Sequence, residues 1–409
     1  MQEGKSEPTM SDATPRTVYL DYAATTPVDE RVVTAMLPFL TEHYGNPNSL
    51  YGLGRDAYRA LEAARESFAR GIGAADPGEV IFTGAGTEGD NAALIGIARA
   101  GKARGKGDHI VVSAFEHHAV LEPAHYLEKD GFEVSTVKPR EDGIVYPEDL
   151  AAELRDSTVL VSVMHANNEL GTVQPIKELA ALTHEMGGYF HTDAIQMLGK
   201  VEWDAVDLGV DAASFSAHKI YGPKGVGALY LKRGTPFEPL LMGGGQESKK
   251  RSATQNVGGA AAFAKALEIM DAERSTENPR LAALRDRVIE GVLTMPNTAL
   301  NGGRDVPRLP GTANLVIKGV EGEAMLLQLD NRGIAVSTGS ACSSGSLEPS
   351  HVLLAIGLAP EIAHGSLRVT VGRFTTGEDI DFFLEVLPPI IERLRAMSPV
   401  YARMFGATA

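Results

Sequence analysis

Cysteine is almost absent, with one in 409 residues. A single thiol excludes an intrachain disulfide framework, and there is no CxxC or Cys/His pattern of the kind that holds structural zinc. Such cysteine usage suits a reducing, cytoplasmic setting. No apolar run approaches the roughly 20 residues that a membrane span needs, so no membrane is expected. Positive charge is in deficit: 38 Lys and Arg stand against 53 Asp and Glu, for a formal net charge of −15. A polyanion partner requires clustered Lys and Arg, so this balance argues against nucleic acid. The stretch Met1 to Arg16 lacks the apolar segment of a signal peptide and, being polar and rich in Ser, Thr and Pro, reads as a disordered lead.

What is present is enough apolar material, 44% of residues, to bury more than one core. Two domains are expected. Short apolar runs such as Val80-Ile-Phe, His109-Ile-Val-Val, Val159-Leu-Val-Ser-Val and Gly227-Ala-Leu-Tyr-Leu alternate with helical stretches. Strands alternating with helices predict an α/β fold with a mostly parallel sheet covered on both faces. The stretch after Glu268, with Arg285, Arg287 and Glu290 on a charged face, predicts a long helix leaving that sheet, with a boundary near residue 272. Glycine gathers where strands hand over to loops, as in Thr83-Gly-Ala-Gly-Thr-Glu-Gly, Gly222-Pro-Lys-Gly-Val-Gly and Met242-Gly-Gly-Gly. In doubly wound sheets ligands bind outside the carboxyl ends of strands, which makes these turns candidate site walls.

The chemistry centres on Ser214-Phe-Ser-Ala-His-Lys219. A lone lysine beside a Gly/Pro turn is usually a solvated charge. Here Ser216 and His218 set a hydroxyl and an imidazole beside an amine suited to a phosphorylated aldehyde cofactor such as pyridoxal phosphate. That cofactor needs an acid opposite its ring nitrogen, and Asp193, after a short apolar strand, supplies one; the alternative for Asp193 is a helix N-cap. The turn holding Gly86 and Thr87 ends a strand and opens a helix, so its backbone N–H groups suit a phosphate, while matching neither GxGxxG nor GxxxxGK[ST]. His117 and His118 follow another strand; a core or surface histidine is the ordinary reading, an imidazole stacked on a pyridine ring the sharper one. Cys342 lies among Ser, Thr, Gly and Ala, which is poor core material and good mobile-loop material, and so is a candidate nucleophile.

Together these motifs resemble the cysteine desulfurases of the class V aminotransferase family. The resemblance runs over nearly the whole chain, from Tyr19-Leu-Asp-Tyr-Ala-Ala-Thr-Thr-Pro through Met164-His-Ala-Asn-Asn-Glu-Leu-Gly-Thr, Phe190-His-Thr-Asp-Ala-Ile-Gln, the Lys219 segment, Ser340-Ala-Cys-Ser-Ser-Gly-Ser-Leu-Glu-Pro-Ser-His-Val and Leu367-Arg-Val-Thr-Val-Gly-Arg-Phe-Thr-Thr to Leu394-Arg-Ala-Met-Ser-Pro. It implies the pyridoxal-phosphate transferase fold type I, with a large domain over 29–272 and a smaller α+β domain from 1–28 and 273–409 that carries the Cys342 loop. It further implies that Lys219 holds the cofactor, Asp193 meets its ring nitrogen, His117 stacks on the ring, and Asn168 and Gln196 contact the phenolic side. Gly86, Thr87, Ser216 and His218 would surround the phosphate, with Thr254 reaching the phosphate of a second copy in a homodimer. Arg368, with Asn168, would take the carboxylate of L-cysteine, for which a planar guanidinium is apt. The long Cys342 loop resembles the family's first group, which serves iron–sulfur cluster assembly and sulfur transfer, so a sulfur-acceptor protein is the expected partner. The chain departs from the family pattern at Ala253, where Gly is usual, at Ser248 and Lys249, where another Arg is common, and at Tyr51, where many members have His. Selenocysteine lyase and an aminotransferase that does not use Cys342 remain as alternative activities.

Overall fold

A computed structural model describes residues 17–339 and 348–406, so Cys342 lies outside the described residues. In chain order these form strands β1 (Val18–Tyr19), β2 (Val80–Thr83), β3 (His109–Ser113), β4 (Glu133–Val137), β5 (Thr158–Ser162), β6 (Tyr189–Asp193), β7 (Ala212–Ser216), β8 (Gly227–Leu231), β9 (Thr298–Leu300), β10 (Thr312–Ile317), β11 (Ile334–Ala335) and β12 (Ser366–Thr370). Seven of them make one sheet in the order β2-β8-β7-β6-β5-β3-β4. Strands β7, β6, β5, β3 and β4 pair in parallel, and β8 runs against both its neighbours. β3, β5 and β7 are buried along their whole length, as a sheet covered on both faces requires.

One face of the sheet is covered by the helix Gly86–Ala103, whose Ala93, Leu94 and Ile97 pack with Ile110 and Leu160. On the other face the helix Gly52–Gly71 brings Phe68 against Phe215 and Phe263, with ring centroids 5.7 and 4.6 Å apart. A second core gathers Val288, Leu315, Leu367 and Phe383 around the antiparallel sheet β12-β10-β9.

The helix Val257–Leu293 joins the two cores, with Phe263 and Leu267 in the first and Val288 and Val292 in the second. It begins eleven residues before the point its charged face suggested, because its first turns are Gly and Ala and carry little amphipathic signal. Those small residues allow close approach: a Cβ on Gly258 would lie 3.3 Å from Phe39 Cβ. Asn256 caps the helix by accepting from Gly259 N–H at 2.9 Å.

The N-terminal strand is built into the second unit, since β1 pairs in parallel with β11. The chain then crosses to the first unit, where Thr26 N–H donates to His218 O and Asp29 N–H to Tyr221 O, both at 3.0 Å. Among the described residues no helix is long and apolar enough to cross a membrane.

Candidate active site

The parallel strands deliver their last residues to one end of the large sheet. Asp193 ends β6 and Ser216 ends β7, after which a single 3-10 turn, Ala217–Lys219, carries His218 and Lys219. His117 follows β3 and caps the helix His118–Glu128, its Nδ1 accepting from Ala119 N–H at 3.0 Å. Asn168 lies in the loop after β5. Gly86 opens the helix that follows β2; a side chain there would collide with Ile195, and its Cβ would stand 3.2 Å from Ser216 Cβ. This packing joins the Gly-rich turn to the end of β7.

The short stretch from Asp21 to Thr25 straps these groups together. Ala23 O accepts from Lys219 Nζ at 2.6 Å and from Gln196 Nε2 at 2.9 Å, and Ala24 O accepts from Lys219 Nζ at 2.7 Å. Thr25 Oγ1 meets His218 Nδ1 at 3.1 Å. Asp21 Oδ1 accepts from Arg368 at 2.7 Å, and Asn168 O accepts from the same guanidinium at 3.1 Å. Arg368 on β12, almost fully buried, is thereby brought from the second unit to the site of the first. Asp21 and Thr25 belong to the Tyr19 motif, to which the sequence reading attached no role; their contacts lie about 190 to 350 positions away, beyond the reach of any periodic pattern.

Burial sets the charges. Asp193 is buried, and its carboxyl is pushed up by burial against the pull of Ile195 N–H and Lys219. Its Oδ1 accepts from Ile195 N–H at 2.9 Å; no regular helix follows, so the local role is a turn rather than a helix cap. Burial, then the Lys219 charge, holds His117 down to about 4, and the same causes hold His218 down to about 4. Both rings are neutral near pH 7. With Nδ1 of His117 engaged as an acceptor, its proton sits on Nε2. Behind Asp193, burial pushes Glu116 up to about 8, where its Oε1 accepts from Met164 N–H at 2.6 Å.

Several groups in this cluster want a ligand. Asn168 Oδ1 and Arg368 Nε are buried with no hydrogen-bond partner among the described residues, which costs free energy unless something supplies one. The helix Gly86–Ala103 starts at Ala85 with no side-chain cap, leaving donors at its positive end beside Ser216. A buried carboxylate, an amine, an uncapped helix end and a partly unsatisfied guanidinium fit a phosphorylated pyridine aldehyde together with an amino acid. Thr87 is exposed at the helix start. Thr254 is exposed on a loop outside this cluster, three residues beyond Arg251, whose Nε donates to Glu88 at 2.7 Å in the first turn of the helix.

Comparisons with known proteins place the chain in a family. The family model described as Aminotransferase class-V matches residues 18–383. A cysteine desulfurase, IscS, of Dictyoglomus turgidum is 52% identical over 385 residues, 94% of this chain and 97% of the relative. A solved NifS-like protein superposes with a TM-score of 0.85 at 37% identity, covering 93% of this chain and 99% of that one. SspA, solved in complex with cysteine, gives 0.77 at 32% identity, covering 88% and 100%. With the lysine and the buried acid at the ends of strands of a mostly parallel sheet, the chain belongs to the class V aminotransferase family of pyridoxal-phosphate enzymes, among its cysteine desulfurases.

Proposed function

We propose that this chain converts L-cysteine to L-alanine and retains the sulfur as a persulfide on Cys342, for delivery to an acceptor protein of iron–sulfur cluster assembly or another sulfur-transfer route. The observation that carries the reading is the strap Asp21–Thr25, which ties Lys219, Gln196, His218 and Arg368 to one short stretch of chain. A solved relative holding cysteine supports the substrate.

Pyridoxal phosphate, bound through Lys219, supplies a carbonyl for the substrate amine and an electron sink for its α-carbon. Asp193 would meet the ring nitrogen, the buried carboxylate gaining a cationic partner that offsets its burial. His117, neutral and held by Ala119 N–H, would lie on the ring; Asn168 and Gln196 would serve the phenolic side. Gly86, Thr87, Ser216 and His218 would hold the phosphate against the uncapped helix end. Arg368 binds the substrate carboxylate, kept in place by Asp21 and Asn168 O. Lys219, in its neutral form, would accept the α-proton and return it to carbon, its direction set by the carbonyls of Ala23 and Ala24. The Cys342 thiolate attacks the substrate sulfur: a sulfur–sulfur bond forms, the carbon–sulfur bond breaks, and its electron pair stays with the carbon that is protonated to give alanine.

In the same reading the chain works in the cytoplasm as a homodimer in which Thr254 reaches the partner's phosphate. The large cofactor domain is 29–272, and 1–28 with 273–409 form the small one. The test is to incubate the purified, cofactor-loaded protein with cysteine, measure alanine, and look for added sulfur on Cys342 by mass spectrometry. Lys219→Ala is expected to lose the cofactor absorbance and alanine formation, and Cys342→Ala to keep the absorbance and lose the persulfide. A wild-type sulfide yield from Cys342→Ala would overturn the persulfide role.

A further inference from the structure

A carboxylate stands on the Gly-rich turn that suits a phosphate. Glu88, in the first turn of the helix Gly86–Ala103, folds back so that its Oε2 accepts from Gly84 N–H at 2.7 Å. The turn is tightly closed there: a Cβ on Gly84 would lie 2.8 Å from Glu88 Oε2 and 3.7 Å from Arg251 Nη2. The same carboxylate takes two bonds from Arg251, Nε to Oε1 at 2.7 Å and Nη2 to Oε2 at 3.1 Å. Both side chains are only about a fifth exposed, at 20% for Glu88 and 21% for Arg251, so water screens the pair in part. Arg251 comes from 163 positions along the chain, on the loop that carries Thr254. The mechanism above assigns neither residue anything.

An acid at this place opposes what the turn is built for. The helix starts at Ala85 with no side-chain cap, so its positive end and its first backbone donors suit an anion. A carboxylate in that first turn occupies the same field, and two anions so placed repel each other. The other acids nearby are answered in their own ways. Glu247, which accepts from Phe82 N–H, pairs with Arg65 at 2.6 Å. Asp90, wholly buried in the same helix, has its carboxyl pushed well up by burial and then by Asp193. For Glu88 the answer is a planar guanidinium that bonds both carboxylate oxygens. Among the described residues, none of the bonds that Glu88 accepts comes from the N–H groups of Gly86 or Thr87, which are left to a ligand.

We infer that Arg251 is a positioning residue for the cofactor's phosphate: it holds the Glu88 carboxylate on Gly84 N–H and cancels its charge, so that the helix end can take a second anion. Arg251 acts through Glu88 and need not touch the phosphate. This deepens the reading in which Gly86, Thr87, Ser216 and His218 hold the phosphate, and it rests on that reading.

The test uses the full-length protein stripped of cofactor with hydroxylamine and equilibrated by dialysis with pyridoxal phosphate or with pyridoxal. The two ligands differ by the phosphate alone and share the bond to Lys219, so the ratio of their dissociation constants isolates the phosphate. Arg251→Met is expected to lower the preference for the phosphorylated ligand about tenfold, with pyridoxal binding unchanged. Adding Glu88→Gln, whose amide oxygen can still accept from Gly84 N–H, is expected to bring the preference back to within about threefold of wild type. If Arg251→Met fails to fold, Glu88→Gln alone decides: it leaves the Arg251 charge uncompensated and should raise the preference. Equal weakening of both ligands in Arg251→Met, no recovery in the double variant, or an unchanged preference in Glu88→Gln overturns the inference. The two failures are distinct: wild type that binds both ligands equally sinks the phosphate reading, whereas a wild-type preference that survives Arg251→Met sinks only the role of Arg251.

Discussion

Glu169 and Ser350, 181 positions apart, hold each other in the interior: Ser350 Oγ donates to Glu169 Oε2 at 2.6 Å. The same oxygen lies 2.6 Å from where a Cβ on Gly339 would stand, and Gly339 has φ +92. One carboxylate thus touches the described residue before Cys342 and one of those just after it, in the loop whose Asn168 also supports Arg368. Its carboxyl is pushed up by burial, against the pull of Ser350 and Arg368.

That relationship predicts a separation of functions. Gly339→Ala puts a methyl group against the carboxylate at a backbone angle that favours glycine, and should cost about 1–3 kcal/mol of stability. The sulfur reaching Cys342 should fall while cofactor absorbance stays intact. Persulfide yield by mass spectrometry beside a visible spectrum checks this; parallel loss of both would deny Glu169 its anchoring role.

Arg368→Lys keeps the charge and loses the planar fork that Asp21, Asn168 O and a substrate carboxylate share. The KM for cysteine is expected to rise roughly tenfold to a hundredfold, in line with losing a charge-assisted hydrogen bond. Steady-state alanine formation measures it, and an unchanged KM would move carboxylate binding elsewhere.

Ala253 has φ +133, a conformation in which a Cβ is strained and glycine is at ease. Relief of that strain should exceed the entropy lost by adding a glycine, so Ala253→Gly is expected to stabilise the protein by about 1 kcal/mol. Denaturant unfolding decides the sign. Glu247, Ser248 and Lys249, four to six positions earlier, also have positive φ, and that turn is held by Glu247, which accepts from Arg65 at 2.6 and 2.9 Å and from Phe82 N–H at 3.1 Å.

His165, next to the site, is held down to about 4 by burial alone. An unfolded histidine binds its proton near pH 6.5, so between about 6.5 and 4 the unfolded chain holds more protons at this residue, and the native state loses stability as pH falls. Glu116, pushed up to about 8, acts in the opposite sense, so the comparison must be with a variant that keeps it. Relative to His165→Met, wild type should lose roughly 3 kcal/mol between pH 7 and pH 4. Unfolding curves of the two proteins across that range measure the gap; a constant gap would mean that His165 titrates normally.

Much of the candidate site was legible from local sequence because its residues sit at strand ends, where a change of composition marks them. Asp193 closes an apolar strand, Lys219 follows another by one turn, and the Gly-rich stretch around Gly86 opens a helix whose packing against Ser216 requires a small residue. The long helix was legible only in its charged half, since the Gly and Ala turns from Val257 carry no amphipathic pattern. Asp21, Thr25 and Glu169 went unread for a different reason. Each acts through a hydrogen bond to one partner, and a single contact leaves no period in the chain.

By itself the sequence determined the alternation of strands and helices, the ordered motifs of the family, and the kinds of groups available: one amine in a Gly/Pro turn, one acid after a strand, one arginine, one thiol. Only the tertiary structure decided which of them meet. The strap from Asp21 to Thr25 crosses between the two cores and bonds to both Arg368 and Lys219, and burial sets Asp193 and His117 away from their ordinary ionisation. Composition says which groups can ionise; the loss of water around them and the distance to the next charge say how they do, and both are properties of the folded chain.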